Sequence, residues 1–388
     1  MIQERLQALR DLMQKEGIDY YLIPTADYHN SEYVSDYFKV RQYFSGFTGS
    51  NGSLLVWQEG AGLWTDGRYF IQAELELAGS GITLFKMGEE NVPTITAYLE
   101  QYMRTGMTLG FDGRVVTARD GRKLQEQLSH KQIRFSFEQD MSKGIWDDRP
   151  AFPHGNIHVL PISLTGKNTR EKIQQVREQM QREQVEALFL TKLDDIMWLF
   201  NIRGCDVECN PLAMSYCYLA HDEAVLFLMP EALGDEEEAY FHENHVKVCD
   251  YRNVTEYLKE LTGGKRVWLD TLYCNYTLYC LLESKMSILD KRNPTEGLKA
   301  VKNPVELSRM REIYLKDSVA VTKFIYWLKK NIGKERITEV SAADFLEQCR
   351  HNVPEFCGLS FPTIAGYNAN GAMMHYEATP EKHAVLKP

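Results

Sequence analysis

Cysteine is absent from the first 204 of 388 residues. The eight present, at 205, 209, 217, 249, 274, 280, 349 and 357, are too sparse for a disulfide framework. Cys205 and Cys209 are separated by three residues, but no second Cys/His pair follows at zinc-site spacing, so they read as reduced thiols. No apolar run approaches the roughly 18 residues of a membrane span. The opening Met1-Ile2-Gln3-Glu4-Arg5-Leu6 has no apolar h-region, so neither a membrane partner nor secretion is expected. Basic charge is in deficit: 44 Lys and Arg against 54 Asp and Glu leave a formal net charge of −10, which argues against a nucleic-acid partner. Also missing are the Gly-x-x-x-x-Gly-Lys-[Ser/Thr] phosphate loop, the Gly-x-Ser-x-Gly nucleophile elbow and His-Glu-x-x-His. The acidic run Asp235-Glu236-Glu237-Glu238 reads as a solvated loop or helix start, and the nearby His242 and His245 as exposed polar residues. A cytoplasmic protein is expected.

What is present is ample aromatic bulk, 17 Phe, 21 Tyr and 6 Trp, enough for more than one core. The length predicts two to three domains. An internal repeat sets their arrangement. Residues 4–13 are echoed by 171–180, and at the same offset 18–23 falls on 185–190. Each copy reads as an amphipathic helix followed by a strand-length apolar run. The match resumes at a shorter offset, with 43–50 on 198–205, so the first copy carries twelve extra residues around Tyr28 to Gln42. Strand-like runs follow the glycine in both copies, at 52–57 and at 213–219 with 224–229. Two α/β domains of one type are therefore expected, over 1–155 and 156–300, each a mixed sheet with helices on its faces. The connector is 149–155, rich in Pro and Gly.

A third unit, 301–388, opens on Asn303-Pro304-Val305-Glu306, with Asn at N-cap, Pro at N1 and Glu at N3 of a helix running to about Ile332. A second helix is expected from Ser341, capped with Asp344, to about Asn352. A hairpin is expected from Leu359–Ile364 and Ala372–Tyr376 around Gly366 and Asn370-Gly371. Three places stand out for chemistry, of which 200–211, with Arg203 and Asp206 able to pair, reads as a loop at a structural interface. Arg68, in Trp64-Thr65-Asp66-Gly67-Arg68-Tyr69-Phe70, projects from a turn at a domain rim, where its fork can hold a carboxylate or carbonyl or simply pair with a surface acid. His375 lies in a strand-like run after a Gly/Asn turn, where a neutral imidazole can shuttle a proton or hydrogen-bond a reacting group, or serve structure alone.

At these residues the chain resembles a known family. Tyr33, Gly46-Phe47-Thr48-Gly49-Ser50 and the segment 64–70 look like the first domain of the three-domain Xaa-Pro aminopeptidases. Residues 198–208 with Asn210-Pro211 resemble the second domain, with Cys205 where the family usually has Ser. Residues 341–344, 359–364, Gly371-Ala372 and His375-Tyr376 resemble the opening of the catalytic domain. The resemblance implies two tandem creatinase-N-terminal-like (ribonuclease-H-like) α/β domains and the beginning of an α+β pita-bread catalytic domain. It implies a metallopeptidase that removes an N-terminal residue preceding proline, using two divalent ions, usually manganese. His375 matches the family's substrate-binding histidine, and Arg68 an arginine that reaches a substrate site, which can belong to the other subunit of a homodimer.

The family's metal ligands, two Asp, a His and two Glu, lie downstream of the position matching His375. The chain is therefore expected to be an N-terminal portion that binds no dinuclear metal tightly and hydrolyses nothing by itself. Two other readings compete: a non-catalytic dimerisation or binding module of the same family, and a prolidase- or creatinase-like enzyme. The duplicated first 300 residues argue against the last.

Overall fold

The computed structural model describes residues 1–388. The repeat seen in the sequence is a repeat of topology. In the first copy the strands are β1 (Tyr20–Pro24), β2 (Ser53–Trp57), β3 (Gly60–Thr65), β4 (Thr83–Lys86), β5 (Thr108–Phe111) and β6 (Arg134–Ser136), in the order β4-β3-β2-β1-β5-β6. Between the copies lies β7 (His158–Val159), which pairs with β9 (Ile202–Arg203). The second sheet uses β8 (Ala187–Leu190), β10 (Ser215–Ala220), β11 (Ala224–Leu228), β12 (Lys247–Asp250), β13 (Arg266–Leu269) and β14 (Ser287–Asp290), ordered β12-β11-β10-β8-β13-β14. Both sheets mix the same way: an antiparallel triplet flanked by parallel edges.

The helices that open the copies bury matching positions: Leu6, Leu9 and Met13 in Ile2–Glu16, and Ile173, Val176 and Met180 in Thr169–Arg182. That i, i+3, i+7 spacing places one apolar stripe on each sheet. Gly17 ends the first helix at φ 68, a left-handed cap that glycine adopts without steric cost.

The two copies form one compact unit, Met1–Pro161 with Lys167–Val301. Their seam is reciprocal. The N–H of Ala118 donates to the carbonyl of Cys274 (2.7 Å), and the N–H of Tyr276 donates to that of Val116 (2.9 Å). Thr117 and Asn275, the bridge between them, are each the N-cap of a helix, Ala118–Leu128 and Tyr276–Glu283. The extra residues of the first copy occupy the stretch between β1 and the helix Val40–Ser45. In the second copy the helix Leu193–Phe200 follows β8 after two residues. The insertion enters the second copy's core: Tyr28 and Phe38 are buried there, with Tyr33, Val34 and Tyr37 packed against them.

The second unit is Ile162–Gly166 with Lys302–Pro388. The helix Pro304–Asn331 starts as the sequence predicts, with a capping box between Asn303 and Glu306. Its partner runs Glu339–His351, and its cap is Thr338 rather than Ser341 with Asp344. The Thr338 hydroxyl accepts the N–H of Ser341 (3.1 Å) and Ser341 Oγ accepts that of Thr338 (2.9 Å), so Ser341 sits at N3. Trp327 stacks on Phe345 between the two helices, with centroids 3.9 Å apart.

The expected hairpin does not form. Residues 359–364 and 372–376 are irregular, and the segment Asn368–Ala372 is a 3-10 turn. Positive φ at Gly358 (143), Asn368 (53) and His375 (54) interrupts the extended runs, and Phe361, Ile364 and Met374 are exposed. A strand needs a partner edge for its backbone groups, and neither run finds one in this unit.

Candidate functional site

The rim bearing Arg68 is built from the Gly46–Asn51 loop and the turn after β3. Buried Arg41 donates from Nε to Thr25 Oγ1 (2.9 Å) and from its two terminal nitrogens to the carbonyls of Phe47 and Gly49. Burial pushes its guanidinium down to about 10, so it stays charged at neutral pH. Gly49 must be glycine for space: a Cβ there would lie 2.3 Å from the Phe47 ring and 2.7 Å from Tyr69. Ser50 Oγ and Tyr69 Oη are 2.6 Å apart, and Asn51 Nδ2 donates to Asp66 Oδ2 (2.6 Å). The loop thus buttresses Asp66.

Asp66 in turn clasps Arg68. Its Oδ1 accepts the backbone N–H (3.0 Å) and Nε (2.8 Å) of Arg68, and its Oδ2 accepts Nη2 (2.7 Å). The Arg68 guanidinium holds the Asp66 carboxyl well below the usual carboxylate range, with Asn51 adding to it. The Arg68 side chain is 45% exposed, at the rim expected from the Asp-Gly turn. The same clasp recurs at Asp112–Arg114, after β5, and at Asp250–Arg252, after β12. It is therefore a local way to stiffen an arginine at a strand end. Asp66→Asn is expected to change stability by less than about 1 kcal/mol, as for a surface ion pair. It should also release the Nε edge of Arg68, seen as faster exchange of that N–H by NMR. An unaltered exchange rate would show that Asp66 does not hold the side chain.

In the second unit His375 is exposed, in a turn at φ 54. The residues around it converge on Glu339, which sequence reasoning had not singled out. Its carboxylate accepts the N–H of Tyr367 (2.6 Å) and of Ala384 (2.7 Å), the Tyr376 hydroxyl (2.9 Å) and Asn370 Nδ2 (3.1 Å to either oxygen). The one available signal was its place just after the Thr338 cap, where a carboxylate faces the positive end of a helix. No three His, Cys, Asp or Glu side chains converge on a point that could hold a metal ion, Asp344, Glu377 and Glu381 included. The donor set of a dinuclear centre is not assembled from these residues.

Comparison with known proteins places this architecture. Residues 5–137 and 148–306 each match a creatinase/prolidase N-terminal domain, and 308–388 match metallopeptidase family M24. "Probable Xaa-Pro aminopeptidase P" of Coprinopsis cinerea is 34% identical over 99% of this chain. Along its whole length the chain is similar to the Xaa-Pro aminopeptidase P family. "Xaa-Pro aminopeptidase 1" of Dictyostelium discoideum is 32% identical, again over 99% of the chain. The chain spans 64% of the Coprinopsis relative and 63% of the Dictyostelium one. Among solved structures, X-prolyl aminopeptidase from Caenorhabditis elegans, described as a cytosolic enzyme with a di-nuclear active site, superposes with a TM-score of 0.93 at 30% identity. That match covers all of this chain and 66% of the nematode protein. Two creatinase-type α/β domains followed by a pita-bread region are thus the fold of this chain. No helix is long and apolar enough to cross a membrane.

Proposed function

We propose that this protein is an Xaa-Pro aminopeptidase, releasing the N-terminal residue of peptides whose second residue is proline. The observation that carries the reading is the match along the whole chain, domain after domain, to relatives of that name and to the nematode X-prolyl aminopeptidase. In this reading the domains are 1–155, 156–300 and 301–388, the protein is cytoplasmic, and a homodimer presents the rim arginine to a substrate site. Divalent ions, manganese by preference, serve the M24 chemistry. No three His, Cys, Asp or Glu side chains among the 388 residues converge to hold them.

The chemistry left to this chain is recognition. The Xaa-Pro bond is a tertiary amide without N–H, so it offers its binding site only a carbonyl acceptor. Selection must then come from pocket shape and from the groups that grip the peptide. Arg68, stiffened by Asp66, is a forked donor suited to a peptide carbonyl or carboxylate. His375 is exposed and suited to donate to, or exchange a proton with, an oxygen of the scissile region.

The test is release of alanine from Ala-Pro-Ala against Ala-Ala-Ala with manganese present. The full-length protein is expected to cleave the first and spare the second. Arg68→Ala should raise KM about tenfold with kcat little changed, and His375→Ala should lower kcat/KM about tenfold or more. Equal cleavage of both peptides would refute the assignment. The 388-residue chain alone is expected to release no alanine above a control without enzyme.

A further inference from the structure

Glu339 is only 1% exposed, and no lysine or arginine pairs with it. A carboxylate in that position is costly unless hydrogen bonds replace its water. Burial pushes its pKa up, but the N–H groups of Ala384 and Tyr367 with Asn370 and Tyr376 outweigh that and hold it below the ordinary value. It also heads the helix Glu339–His351, where the helix dipole favours negative charge.

The placement of the donors is informative. Tyr367 and Asn370 precede His375 in the chain; Tyr376 and Ala384 follow it. Asn370 Nδ2 also reaches the Tyr376 hydroxyl (2.9 Å), which closes the ring of contacts beneath the turn. The backbone adds two clamps at the far end, Glu339 N–H to Ala384 O (3.1 Å) and Leu386 N–H to Ile337 O (2.8 Å). Between these anchors His375 keeps a left-handed backbone, a conformation that is unfavourable for a non-glycine residue and persists only when its surroundings impose it. If bulk alone were needed, an apolar side chain could fill the site at no desolvation cost. A buried carboxylate supplies what an apolar group cannot: up to four lone-pair sites that gather donors from separate parts of an irregular segment.

We propose that Glu339 is a positioning residue, whose carboxylate fixes the 367–384 segment so that His375 presents its imidazole to the peptide in one orientation. The role of His375 rests on the aminopeptidase reading; the tether itself does not. Glu339→Gln keeps the shape but turns one acceptor oxygen into a donor facing other donors. In the 388-residue chain, amide exchange over 367–384 is expected to speed up about tenfold, and the His375 ring Cε1–Hε1 signal to shift or split. Exchange in Met1–Pro161 should be unchanged. Asn370→Ala leaves the carboxylate in place and should move the His375 signal the same way, so it decides the matter if Glu339→Gln lowers the helical circular dichroism.

In the full-length protein, E339Q should cost about tenfold in kcat/KM for Ala-Pro-Ala, and less than about twofold when His375 is already alanine. An equal loss in both backgrounds would reduce Glu339 to a structural role and overturn the proposal. So would a His375 signal and exchange rates indistinguishable from wild type. If His375→Ala leaves turnover intact while E339Q still shifts the His375 signal, the aminopeptidase role of His375 fails and the tether stands.

Discussion

Tyr276→Ala is expected to lower the stability of the paired creatinase-type domains by about 3–5 kcal/mol, the range for deleting a large buried aromatic side chain. Tyr276 is 3% exposed and belongs to the second repeat by sequence, yet its ring is packed into a core of the first. It meets Phe137 edge-on at 4.9 Å and Phe111 at 5.7 Å. Its ring also lies so close to the helix Ala118–Leu128 that a Cβ on Gly121 would come within 2.3 Å of it. The truncation would leave the main-chain bond to Val116 in place and open a cavity on one side of the seam. The two repeats should then unfold in separable steps in urea, followed by tryptophan fluorescence for the first (Trp57, Trp64) and the second (Trp198, Trp268). Tyr276→Phe keeps the ring and loses the hydroxyl's bonds to Gln125 (3.1 Å) and Cys280, which should cost about 1–2 kcal/mol. A single transition for Tyr276→Ala within about 1 kcal/mol of wild type would show that the seam is held by its backbone bonds instead.

The two domains that the seam joins were legible in the sequence; the seam was not. The repeat itself could be read because each copy must bury the same helix stripe and strand, and Leu6, Leu9 and Met13 recur as Ile173, Val176 and Met180. The Asp-Gly turn before Arg68 and the Asn-Pro start of the long helix were readable because turn and cap chemistry is local. What was hidden depends on long-range packing. The twelve-residue excess was visible as length, but nothing in it says that Tyr28 and Phe38 plug the second core. Glu339 looks like any helical glutamate until distant donors at 367, 370, 376 and 384 close on it. The hairpin around His375 failed for a related reason. Alternation of apolar residues specifies a strand only where another edge pairs with it, and here the positive-φ positions took over.

The insertion also sets an acid limit on the unit. His29, 1% exposed, donates from Nδ1 to the carbonyl of Thr191 (2.7 Å), because that oxygen can only accept. Its Nε2 faces the Tyr251 hydroxyl (2.8 Å), which donates to the ring in its neutral form. Tyr216 lies against it at 4.4 Å. Burial lowers the His29 pKa; Asp27 and the Thr191 carbonyl raise it, and burial prevails. Asp27 Oδ1 is taken by the N–H groups of His29 and Ser31, while its Oδ2 has no partner. The unfolded chain therefore binds a proton near the ordinary histidine value of about 6.5 while the folded one resists it. Stability is complete above that pH and falls as the pH drops below it, by up to about 1.4 kcal/mol per unit from this residue, until the folded ring itself protonates. The urea midpoint should thus decline from about pH 6.5 toward 5, and His29→Gln, neutral throughout, should flatten that decline while lowering the plateau at pH 7.5. Parallel pH profiles for the two proteins would mean that other groups set the acid limit. A flatter profile with a lower plateau would place the limit in the segment that sequence comparison marks only as extra length.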